Sequence, residues 1–380
     1  MGEESVDVAP FLGPASHVSK WVFTKDELQR RRAAANQDAC GRTNEAIDHD
    51  RKLRQQRDQG ERLAVSLEEE LMLTSYYSHR LLSLCDHKKY SFRVKTTSTM
   101  FFKRFFVNRS CIDYDPLQIL VVCIVLAHKV EELHDEDLKA LIHGLKVPLK
   151  VIVDLEIEVL EALDFELLVT HPRFAIREMV DDYHTWCGEH AVPQLQKEDA
   201  LQLVEGAEGL ALQLYETDIP LLCTPAHIAV VSVKITAENN KLDLSDKFIE
   251  ECFASRGVEL AAVEQKVKFI RDAAASIKRH GTDSPEATKE QEAAAKIFKR
   301  CQSCRKAIKR LRHHKEQSAE SVKAGGVKTE GDNGSEKKGK RDKKEKKRKH
   351  GDVALGGDAT DDVKRLKIED DRPQPSPSDG

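Results

Sequence analysis

Asp115-Pro116-Leu117-Gln118-Ile119-Leu120-Val121-Val122-Cys123-Ile124-Val125-Leu126-Ala127 is the stretch that decides the fold. Asp115 is a good N-cap and Pro116 suits the first helical position, so a helix opens here. From Leu117 to Ala127 only Gln118 is polar. A helix that is apolar on every side must be enclosed by other helices. The run from Ile119 to Ala127 is too short to cross a bilayer, which takes about 20 residues. The same cap, proline and apolar opening recurs at Thr224-Pro225-Ala226-His227-Ile228-Ala229-Val230-Val231. A motif repeated at this distance indicates a tandem duplication.

Working outward from each central helix, apolar periodicity and turn residues predict a first unit of five helices over 68–85, 92–107, 116–131, 136–143 and 149–164. A second unit of five follows over 174–187, 195–215, 225–238, 245–253 and 258–278. Aromatic residues are 6% of the chain, and Ala, Leu, Glu, Lys and Arg recur in runs, as helical proteins require. The expected fold class is therefore all-α.

Phe23, Thr24, Glu27 and Leu28 predict one more helix start, with Thr24 and Glu27 as a capping box and Phe23 stapled to Leu28. That helix should end near Asn36. Residues 41–60 are polar without an apolar stripe and read as a linker or exposed helix. Ser284-Pro285 opens a long helix to about His314. The expected organisation is an N-terminal helix and linker over 1–66, units over 67–168 and 169–280, a C-terminal helix over 281–317 and a disordered tail over 318–380.

The net charge of −4 averages over an uneven chain. Residues 337–349 carry ten bases against two acids. Lys343, Lys344, Lys346, Lys347, Arg348 and Lys349, with the later Lys364-Arg365-Leu366-Lys367, read as nuclear-import signals or a nucleic-acid patch, against the plainer reading of a solvated tail. The nine cysteines are mostly single and inside apolar stretches, as in a reduced intracellular protein. Cys301 and Cys304 share a stripe with Ile297, Ile308 and Leu311, so packing explains them better than zinc with His313 or His314. The N-terminus has no secretory pattern.

One residue breaks the amphipathic pattern. Around the helix at 149–164, Ile152, Leu155, Val159 and Leu163 form an apolar stripe, and Asp154, Glu158 and Glu161 take the opposite face. Glu156 lies on the apolar side, flanked by Ile152, Val159, Leu160 and Leu163. A carboxylate there needs a partner. Lys129, at the end of the central helix, is the candidate, although a basic residue there also suits the helix dipole. The equivalent positions in the second copy are Glu238 and Gln265, so the pair belongs to one unit only.

The run Phe101-Phe102-Lys103-Arg104-Phe105, then Leu126-Ala127-His128-Lys129-Val130-Glu131-Glu132, then Glu156 ahead of Phe165, resembles the first box of the cyclin family. The resemblance spans roughly residues 67–278 and implies tandem cyclin boxes. It also implies that Lys129 and Glu156, with Leu126, Val130 and Glu132 nearby, bind the C-helix region of a cyclin-dependent kinase. Trp21, Phe23 and Leu28, then Tyr76 and Tyr77, and the long C-terminal helix are similar to the H-type cyclins of the CDK-activating kinase. Helix one lacks the Met-Arg-Ala-Ile-Leu docking patch of cell-cycle cyclins. The partners so implied are the kinase, a RING-finger assembly factor and the TFIIH complex, with work in the nucleus and no cofactor, metal, membrane or direct nucleic-acid contact. The chain would be a regulatory subunit, not an enzyme. Two alternatives stay open: a C-type transcription cyclin, and a TFIIB-like promoter factor, whose zinc ribbon has no counterpart around the lone Cys40.

Overall fold

The computed structural model describes residues 20–59, 64–133, 137–145, 147–242, 244, 246–254, 260–277 and 285–325. They form fourteen helices and no strand. The chain opens with α1 (Lys25–His49) and α2 (Arg51–Asp58). The first unit is α3 (Leu67–His87), α4 (Phe92–Asn108), α5 (Pro116–Val130), α6 (Asp137–Gly144) and α7 (Leu149–Ala162). The second is α8 (Pro172–His190), α9 (Lys197–Leu214), α10 (Ile219–Leu222), α11 (Pro225–Asn239), α12 (Asp246–Ala254) and α13 (Leu260–Ser276), and α14 (Pro285–Gly325) closes the series.

The two apolar helices are central, as their sequences require. Helix α5 packs against α3, α4 and α7, and α11 packs against α8, α9 and α13. The caps are the expected ones. Asp115 accepts from the Leu117 amide at 3.0 Å and Thr224 from the His227 amide at 3.3 Å. Ser66 and Glu69 form a reciprocal capping box at the start of α3. In the second unit Gly206 permits the close approach of α9 to α11, since a Cβ there would stand 2.6 Å from the Thr236 methyl.

Three expectations need correction. Helix α1 does not stop near Asn36 but runs through Gly41 to His49, and α2 continues the path. Its buried stripe, Asn36, Ala39, Thr43, Ala46 and Ile47, is built largely of small or polar residues and so escapes a search for large apolar ones. Those small side chains let α1 lie against α14. Thr24 caps α1 through its hydroxyl, but the Glu27 carboxylate turns to Arg31 at 2.5 Å instead of completing the capping box. Helix α14 extends to Gly325, past both the expected helix end and the expected start of the tail. The short α10 was not foreseen; it touches α4 and so joins the two units.

The flanking helices are fastened by the residues that marked them in the sequence. Trp21, Phe23, Leu28, Tyr76 and Tyr77 are all buried. Tyr77 of α3 meets Phe298 of α14 at 6.2 Å between rings. The Phe23 amide donates to the Leu221 carbonyl at 2.8 Å, and Arg32 of α1 holds Asp218 with two bonds of 2.6 and 2.8 Å. Cys301, Cys304, Ile297, Ile308 and Leu311 are buried together with the core. No group of His, Cys, Asp and Glu among the described residues is placed to hold a metal. The basic runs at 337–349 and 364–367 and Ser284 lie outside the described residues.

Candidate functional site

Lys129 and Glu156 meet. The Lys129 Nζ lies 2.5 Å from Glu156 Oε1, joining the last turn of α5 to the middle of α7. The lysine side chain is 56% exposed and the glutamate 19% exposed, so the pair sits at the surface over an apolar floor. That floor is the expected stripe: Ile152, Val159 and Leu163 are buried, with Leu155 and Leu160 partly so. Glu158, assigned to the solvated face, instead accepts a hydrogen bond from the Tyr114 hydroxyl at 2.8 Å.

A second apolar stripe on α7 was missed. Leu149, Val153 and Ile157 follow at intervals of four and so share one face; they are 66%, 56% and 55% exposed. Three consecutive large apolar side chains left in solvent on one helical face mark an interaction surface more than a chance exposure. The signal was in the sequence: α7 has apolar residues on two faces, which is one more than its own core needs. Leu133, just past α5, is also exposed.

Of the other residues expected here, Val130 is half-buried and Glu132 is exposed, in a left-handed conformation (φ 54°) that ends α5. Leu126 is only 3% exposed. It belongs to the core, because a helix enclosed on all sides turns its mid-helix leucines inward, and it offers nothing to a partner.

Glu131, within the same motif, anchors the end of α5 to α4 and to the start of α8. It accepts from the Thr97 hydroxyl at 2.6 Å and pairs with Arg93 at 2.6 Å and His171 at 3.3 Å, while His171 also bonds Thr96 at 2.7 Å. An acid at a helix C-terminus opposes the dipole, which was the available clue. Burial raises its pKa, but the hydrogen bonds from His171 and Thr97 and the charge of Arg93 more than offset this and hold it at about 2. The group therefore stabilises the fold fully above its unfolded pKa near 4.5, and that contribution is lost as the pH falls toward 2. In urea melts Glu131→Gln should be less stable than wild type by about 2–3 kcal/mol near pH 6, and the gap should shrink by more than half at about pH 3. A gap independent of pH would refute the assignment.

The second unit corrects the single-copy argument. Glu238 of α11 pairs with Arg271 of α13 through two bonds of 2.8 and 2.9 Å. Both units thus tie their central helix to their last one by an ion pair, with the charges reversed. Among the described residues, the first unit adds an exposed apolar stripe beside its pair.

Two helical units, the first with an exposed apolar face beside an ion pair, define the site. Residues 64–168 match the family described as Cyclin, N-terminal domain. Cyclin-H1-1 of Arabidopsis thaliana is 28% identical over 231 residues, which are 57% of this chain and 68% of that protein. Cyclin-H of Xenopus laevis is 28% identical over 243 residues, 62% of this chain and 70% of that protein. Among solved structures, a chain of the CAK complex of Chaetomium thermophilum bound to ATP-gamma-S aligns with a TM-score of 0.56 at 20% identity, covering 84% of this chain and 96% of that one. A chain of the yeast TFIIK (Kin28/Ccl1/Tfb3) complex aligns with a TM-score of 0.53 at 21% identity, covering 68% and 98%. At such identities the two structures establish the common fold.

Proposed function

We propose that this protein is the regulatory cyclin subunit of a cyclin-dependent kinase of the CDK-activating type. One observation carries the reading: the exposed Leu149, Val153 and Ile157 stripe runs beside the Lys129–Glu156 pair inside the segment that matches the cyclin N-terminal domain. The stripe would supply desolvation energy on contact, and the pair would fix register by bonding kinase backbone.

The physics of activation needs no chemistry from the cyclin. A kinase positions ATP phosphates only when its strand lysine is paired with the C-helix glutamate. A partner that binds only the helix-in state shifts the equilibrium toward it. Moving the ratio from 1:99 to 99:1 takes about 5.5 kcal/mol of differential affinity. A face of three large apolar side chains, each contributing about 1.5–3 kcal/mol when fully covered, is of the right size.

The likeness to Cyclin-H proteins extends the proposal to a RING-finger assembly factor and TFIIH as partners, to activation loops and the RNA polymerase II tail as substrates of the kinase, and to the nucleus as the place of action. On that reading the basic run from Lys343 to Lys349 is an import signal, and a chain cut after residue 325 should spread into the cytoplasm when imaged in cells.

The test is capture from nuclear extract followed by mass spectrometry, with wild type beside Glu156→Ala. A CDK-activating kinase subunit should be recovered by wild type and depleted in the variant. A different kinase would reassign the cyclin class, and promoter factors without any kinase would overturn the proposal.

A further inference from the structure

Away from the α5 and α7 face, α3 and α4 meet α1 and the segment leading into α10 around a cavity of about 140 Å³. Its polar lining includes Arg32, Thr74, Ser78, Lys103, Glu216 and Asp218. Phe102 and Phe106 close one wall. The cavity thus lies at the seam of the first unit, the second unit and the N-terminal helix.

The charges in it do not balance. Both oxygens of Asp218 are taken by Arg32. Glu216 pairs with His79 at 3.3 Å, and that hydrogen bond raises the histidine pKa and favours its charged form. Lys103 is left over. It is 7% exposed, and its Nζ has no hydrogen-bond or ion-pair partner among the described residues. Burial pushes its pKa down to about 8, with Asp218 acting on it only through space. On the neighbouring helix, the Ser78 hydroxyl is 1% exposed and has no partner either.

A buried hydroxyl without a partner is costly, and the Lys103 ammonium, on a side chain almost wholly buried, faces the cavity with no bonded acceptor; such groups are retained where something else satisfies them. The carboxylates of the cavity are occupied, so the open groups are donors: the three N–H bonds of Lys103 and the O–H of Ser78. Their complement is a compact, acceptor-rich anion. We infer that the seam cavity binds a phosphate-type oxyanion through Lys103 Nζ and the Ser78 hydroxyl. A ligand there bonds α3 to α4 within the first unit, beneath the Arg32–Asp218 clasp. The folded chain gains stability with ligand concentration.

The experiment titrates inorganic phosphate into the full chain at constant ionic strength, with chloride as the balance, and follows the melting temperature and the heat of binding. Wild type should show a saturable rise in Tm. Lys103→Met should melt at or above wild type without phosphate and lose the phosphate-dependent rise. Ser78→Ala should bind phosphate about tenfold more weakly, and it decides the matter alone if Lys103→Met does not fold. Displacement of phosphate by O-phosphoserine assigns the natural ligand to a phosphorylated side chain, and failure to displace assigns it to free phosphate. No rise beyond the chloride control, or an equal rise in both variants, would overturn the inference.

Discussion

Ile157→Asp is expected to lower the affinity for the kinase by about a hundredfold while leaving the melting temperature unchanged. Ile157 is already 55% exposed and lies outside the packed stripe of α7, so the fold loses little; exposed substitutions away from special features stay within about 0.5 kcal/mol. Contact with the kinase would cover this position. A carboxylate forced out of water there, next to Glu156, costs about 3 kcal/mol, which is about a hundredfold. Lys129→Ala should cost less, about 1 kcal/mol, because the lysine is half-exposed and its pairing is screened. The order of the two effects is the informative result. If the lysine variant loses more affinity than the Ile157 variant, the stripe is not the main contact. The measurement is titration calorimetry with the purified kinase, beside a thermal melt of each variant.

The second large effect concerns stability. Arg104 of α4 is fully buried, donates to the Glu166 carbonyl at 3.2 Å and lies 5.0 Å over the Trp21 ring. Burial lowers its pKa to about 10, which leaves it charged at neutral pH. It therefore ties α4 both to the segment after α7 and to the residues preceding α1. Arg104→Ala removes the largest fully buried side chain, leaves a cavity and strands the Glu166 carbonyl. The expected loss is about 3–5 kcal/mol. For an ordered body of this size that is a fall in Tm of roughly 8–15 °C. Arg104→Met fills most of the volume without burying a charge, and should recover at least half of the loss. Equal destabilisation by both would show that the charge and its hydrogen bond, not the volume, hold the position.

Much of this architecture was legible because it rests on local rules. Asp115-Pro116 and Thr224-Pro225 announce the two central helices by cap and proline, and apolar residues on all sides place those helices inside. Lys129 and Glu156 could be matched because an acid on an apolar face demands a partner. The failures have physical causes too. The stripe of α1 from Asn36 to Ile47 uses Ala, Thr and Asn, whose burial depends on the close approach of α14, a contact remote in sequence. Leu126 looked like a contact residue because it shares a motif with Lys129, but the helix turns it inward. Leu149, Val153 and Ile157 were hidden by the buried stripe of the same helix. Glu131 was unreadable alone, since its partners Arg93, Thr97 and His171 come from two other segments.

The pair in the second unit bears on what the site means. Glu238 and Arg271 show that an ion pair between the central and last helices serves the fold in both copies. Pairing alone therefore does not define a docking site. Among the described residues, the first unit leaves large apolar side chains in water beside its pair, and those are what a partner would use.

The central claim is tested most directly by mixing the purified chain with a monomeric, inactive cyclin-dependent kinase of the CDK-activating type and following phosphorylation of a kinase activation-loop substrate. The account predicts activity that rises with added chain, saturates near one-to-one, and is abolished by Ile157→Asp. A well-folded chain that leaves the kinase inactive at saturating concentration, or that activates it equally with Ile157→Asp, would contradict it.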